Sequence, residues 1–114
     1  MKNKNCTRYY SSRQEKLIAK KLGGKVVPNS GAIMFGAGDV VLSDWLIEAK
    51  TKTSPSNSMT IHKEWVEKNA EEAFAMGKEH SALIFDFGDI HYPQENVVST
   101  LEEFKRLMEA QKDD

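Results

Sequence analysis

A chain of 114 residues is enough for one domain with one core and leaves no room for a second. With 39% hydrophobic and 29% charged residues its composition is that of a globular protein, and no apolar run is long enough to cross a bilayer. The formal net charge of −1 speaks against a general nucleic-acid coat, but the charge is unevenly spread. Residues 1–25 carry Lys2, Lys4, Arg8, Arg13, Lys16, Lys20, Lys21 and Lys25 against Glu15 alone, while the stretch from Glu95 onward is net acidic. One basic face able to hold a polyanion is one reading of this asymmetry, and a solvated lysine-rich helix is the other. The first residues lack the apolar region of a signal peptide. Cys6 has no partner for an internal disulfide or a zinc site, so a reducing cytosol is the expected address.

In chain order, residues 1–10 read as a basic arm. A first helix is expected from Ser11 or Ser12 to Leu22, because Ser12 and Glu15 have capping-box spacing and Gly23-Gly24 ends the run. Leu17, Ile18 and Leu22 supply its apolar stripe. Lys25–Pro28 reads as a short strand and Asn29-Ser30-Gly31 as a turn. From Asp39 to Thr51 two apolar runs flank Ser43-Asp44, which predicts a hairpin. Pairing Leu42 with Trp45 sets Val41 against Leu46, Val40 against Ile47 and Asp39 against Glu48. Residues 52–58 are polar and Pro/Ser-rich, hence a loop. A second helix is predicted from His62 to Met76, with Trp65, Val66, Asn69, Ala73 and Met76 inward. Ser81–Phe87 reads as a strand that adds in parallel, and Ile90–Tyr92 as a shorter one. The last helix opens at Ser99, with Glu102 three residues on, and has Leu101, Phe104, Leu107 and Met108 as its buried stripe. Residues 110–114 read as a polar tail. The order α-β-β-β-α-β-β-α gives a single α/β domain, a mixed sheet flanked by helices.

Within this frame the hairpin carries the chemistry. Directly opposed strand residues have Cβ atoms roughly 4.5–5.5 Å apart, where like charges repel. The carboxylates of Asp39 and Glu48 therefore call for something positive between them, and a divalent cation fits. Glu48 and Lys50 share a strand face, which adds an ammonium to the pair.

On these residues the chain resembles the PD-(D/E)xK nuclease superfamily and, within it, the small Holliday-junction resolvases of archaea and phages. The matching pieces are Ser12-Arg13-Gln14-Glu15, Ser30-Gly31, Gly38-Asp39-Val40 and Ile47-Glu48-Ala49-Lys50. Gly38 stands where the superfamily has proline. The resemblance implies a restriction-endonuclease-like fold and hydrolysis of a DNA phosphodiester. It implies Mg²⁺, with Mn²⁺ as a substitute, held by Asp39, Glu48 and the Ala49 carbonyl, with Glu15 completing the shell directly or through water. Lys50 then orients or deprotonates the attacking water or stabilises developing charge. Ser30 lies near the phosphate, and Arg8, Arg13 and Lys52 are expected DNA contacts. The implied substrate is a four-way junction, nicked symmetrically by a homodimer, with no organic cofactor and no membrane.

Plainer readings stand beside these. Glu15 also fits a helix-cap role, Ser30 a turn, and Glu48 with Lys50 a solvated strand face. His62, His80 and His91 lack ligand spacing and read as surface or helix-end residues, and Trp45 and Trp65 read as core, with a dimer seam as the alternative for one of them. A repair or restriction-type nuclease on duplex, nicked or flap DNA is the nearest competitor, and a non-catalytic DNA-binding module is the next.

Overall fold

The computed structural model describes residues 2–27 and 39–112, with side chains from residue 9 onward. Its elements are α1 (Lys2–Leu22), β1 (Lys25–Val26), β2 (Val40–Val41), β3 (Trp45–Lys50), α2 (Lys63–Ala75), β4 (His80–Phe85), β5 (Asn96–Val98) and α3 (Leu101–Lys112). This is the element order expected from the sequence, in an α/β domain. The five strands form one mixed sheet in the order β1-β2-β3-β4-β5. β3 and β4 run parallel because α2 carries the chain from the end of one to the start of the other, while all other neighbours are antiparallel.

The hairpin has the predicted register, Val40 against Ile47 and Val41 against Leu46, closed by the Leu42 amide on the Trp45 carbonyl at 3.0 Å. Lys78 Nζ donates to the carbonyls of Leu42 and Ser43 at 2.7 and 3.1 Å, tying the turn to the end of α2. Side chains of β3 alternate between the sheet faces. Ile47, with Trp45 and Ala49, packs under α1 against Ile18, Ala19, Val40, Ala82 and Ile84. Leu46 points to the other face, onto Ala73 of α2 and Val41. Among the described residues, no helix is long and apolar enough to cross a membrane.

Several expectations need correction. The first helix does not start at Ser12: it runs unbroken from Lys2, so residues 2–10 belong to α1 and are not a separate arm. Residues 2–11 hold no proline or glycine, and extending a helix costs far less than nucleating one. At its other end Gly23, with φ of +77°, lets the Gly24 amide close on the Ala19 carbonyl at 2.9 Å. Secondly, β5 is Asn96–Val98, not Ile90–Tyr92. Asp89 Oδ1 accepts from the amides of His91 and Tyr92 at 3.0 and 3.2 Å, and this turn removes residues 90–92 from the sheet.

Thirdly, the cap of α3 is Thr100, whose Oγ1 accepts from the Glu103 amide at 3.1 Å, one residue later than expected. The helix also docks by another face than expected: Leu101, Phe104, Leu107 and Met108 are exposed and Glu103 is the buried residue. Glu103 bonds the His80 ring, which stacks on Trp45 at 4.6 Å, so His80 is a half-buried anchor and not a surface residue. Residues 110–112 continue α3 and do not form a tail. Fourthly, Trp45 and Trp65 are half-buried and lie at the margins of the core.

Candidate active site at the end of the hairpin

The short partner strand creates the site. Among the described residues, β2 pairs β3 only at Leu46 and Ile47, which leaves a notch beside Glu48–Lys50. Asp39 enters this notch. Its amide donates to the Ile47 carbonyl at 2.7 Å, and its carboxylate Oδ2 accepts from the Ala49 amide at 2.8 Å. The amide and carbonyl of one strand residue point the same way, so the Ala49 carbonyl opens into the notch beside Asp39. The Lys50 carbonyl points to the other side, where Gln14 Nε2 and the Asp86 amide donate to it at 2.6 and 3.2 Å.

Glu15 reaches Asp39 from α1. Burial pushes the Glu15 carboxyl up to about 7, helped by the Asp39 charge, a hydrogen bond between the two side chains and the Glu48 charge. Burial also raises Asp39, against the Ala49 amide and the Lys50 charge that pull it down. Glu48 is raised first by burial and then by Asp39, with Lys50 opposing. Three carboxyl groups thus share too little positive charge. Glu48 leans on Lys50, with Nζ 3.5 Å from Oε2, and the two side chains stay 23% and 30% exposed, open to an incoming anion.

The other wall was not foreseen in the sequence. Trp65 and Lys68 of α2, with Glu64 and Asn69, line a cavity of about 260 Å³ shared with Glu48 and Lys50. Trp65 is not simply a core residue: Lys50 Nζ lies 4.2 Å from the centroid of its ring. The available signal was its spacing: it lies one helical turn before Asn69, on the face that meets the strand carrying Glu48.

Glu15, Asp39, Glu48, Ala49 and Lys50 are therefore brought together. Ser30, Gly31 and Gly38 lie outside the described residues, as does the Arg8 side chain. Arg13 is exposed and turned elsewhere, with Nη2 3.4 Å from the Ile90 carbonyl. Lys52 follows Lys50 by two residues and packs against Gly88, where an added Cβ would stand 2.8 Å from the Lys52 Cβ.

A second buried polar group supports this end of the sheet. Gln14 Nε2 also donates to Glu95 Oε1 at 3.0 Å, while Asp86 accepts from the Thr51 hydroxyl and from the Gly88 amide. Burial and the Asp86 carboxylate push Glu95 up to about 8.

A hard divalent cation fits the donor chemistry of the notch: carboxylate oxygens, a backbone carbonyl and carboxyl groups raised by burial and by one another's charge. Among the described residues, no three His, Cys, Asp or Glu side chains are gathered closely enough to hold a metal ion by themselves. No protein-family model, curated protein or solved structure matches this chain.

Proposed function

We propose that this protein is a divalent-metal-dependent endonuclease acting on branched DNA, a four-way junction above all, as a homodimer. The observation that carries the proposal is the meeting of Asp39, Glu48 and Glu15 around the end of β3 beyond its pairing with β2, with the Lys50 ammonium beside them. Asp39, Glu48 and the Ala49 carbonyl would hold the ion, and Glu15 would complete its shell. When bound, Mg²⁺ polarises a phosphate and acidifies a coordinated water. The remaining work belongs to the chain. Lys50 would offset the charge of a pentacovalent phosphate or steer the attacking water. Gln14 holds the Lys50 carbonyl from behind, so the backbone from which that side chain projects is fixed. The half-exposed Glu48 and Lys50 leave the site open to a strand of DNA.

Two symmetric nicks need two such sites, hence two copies. Recognition would be by backbone phosphates and junction shape. The test is a panel of labelled four-way junction, linear duplex and flap in Mg²⁺ across a salt series. Paired nicks on the junction, weakening steeply with salt, support the proposal. Preferential cutting of duplex or flap moves the same site to a repair or restriction role. Binding without cutting supports the non-catalytic alternative.

A further inference from the structure

The Lys50 ammonium has two close neighbours of opposite kinds. One is the Glu48 carboxylate at 3.5 Å, and the other is the face of Trp65, whose centroid lies 4.2 Å from Nζ. These two cannot both persist if Glu48 turns to a divalent cation, because cation and ammonium compete for the same carboxylate. The indole does not compete, since its face attracts the ammonium and offers a metal no oxygen.

Trp65 is also held in place. The His62 ring packs edge-on against it at 4.6 Å, and the Trp65 amide donates to the His62 carbonyl at 3.0 Å. One turn along α2, the buried Asn69 donates to the carbonyls of Leu46 and Ala82 at 3.2 and 3.1 Å, pinning the helix to both central strands. The ring that meets Lys50 thus stands on an element fixed to the strand that carries Lys50.

We propose that Trp65 is a positioning residue of the candidate active site: its indole face holds the Lys50 ammonium at the notch when Glu48 is released to a metal ion. The inference rests on the nuclease reading and assigns α2 a part in the chemistry. Trp65 acts through Lys50.

The test uses the whole protein with Trp65→Leu and Trp65→Phe. Lys50 ε-methylene protons, assigned with Lys50→Arg, are read by NMR with and without Mg²⁺. Their ring-current upfield shift should be present in the wild type, persist in Mg²⁺, vanish in Trp65→Leu and survive in part in Trp65→Phe. On junction DNA, Trp65→Leu should lower kcat by ~3- to 30-fold with little change in KM, and Trp65→Phe should recover most of it. Lys50 resonances identical in wild type and Trp65→Leu, or a Trp65→Leu kcat equal to that of the wild type, would overturn the role while leaving the nuclease reading intact. A folded wild type that cuts no DNA would overturn the nuclease reading, and this role with it.

Discussion

Replacing Glu15 by glutamine should make the metal-free protein more stable at pH 8 and change it little at pH 5. Glu15 has its carboxyl raised from the ordinary 4.5 to about 7. A carboxyl raised by folding contributes stability that is full below its unfolded value and lost as pH rises through the folded one. The window therefore runs from about pH 4.5 to about pH 7. At 1.36 kcal/mol per pH unit the displacement corresponds to ~3 kcal/mol. Glu15 is half-exposed, and solvent screening reduces this to ~1–2 kcal/mol. Glutamine keeps a donor for Asp39 at every pH and never ionises. For a domain of this size 1 kcal/mol moves the midpoint by ~4 °C, so the Glu15→Gln advantage should grow by ~4–8 °C between pH 5 and pH 8. Thermal melts of both proteins in EDTA across that range measure it. A difference between the two that stays constant with pH would refute the shared-charge account of the notch.

Other consequences can be checked alongside. In the wild type, saturating Mg²⁺ should raise the melting temperature, by the equivalent of ~2.7 kcal/mol at a hundredfold excess over Kd, and Asp39→Asn should abolish the response. Glu95→Gln should flatten a second pH dependence, lying between about 4.5 and about 8, because Glu95 is raised by burial and by Asp86 and loses its contribution as it ionises. Leu46 is fully buried between the sheet and Ala73, so Leu46→Ala should cost ~2–5 kcal/mol in urea unfolding. Asn69→Ala leaves the Leu46 and Ala82 carbonyls without their side-chain donor and should cost ~1–3 kcal/mol.

The hairpin was legible because a polar turn between two apolar runs admits few registers, and a one-residue slip would have put Ile47 on the wrong face. The parallel β3–β4 pair followed from the length of chain between them, which can hold a helix. What escaped the sequence was decided by single hydrogen bonds. Asp89 turned residues 90–92 out of the sheet, and Thr100 took the cap expected of Ser99. The buried face of α3 is set by a long-range contact instead, that of the acidic Glu103 with the distant His80. Within the site, the grouping of Asp39, Glu48 and Lys50 follows from strand alternation and register. Trp65 is signalled in the sequence only by its helical spacing from Asn69, and Gln14 not at all as a site residue, because each meets Lys50 through geometry that the packed helices define.

The most direct test of the central claim is single-turnover cleavage of a labelled four-way junction in Mg²⁺ by wild type and by Glu48→Ala purified in parallel. The account predicts paired nicks from the wild type, none in EDTA, and loss of cleavage in Glu48→Ala while that variant stays folded. Equal cleavage by the two proteins, or cleavage indifferent to EDTA, would contradict it.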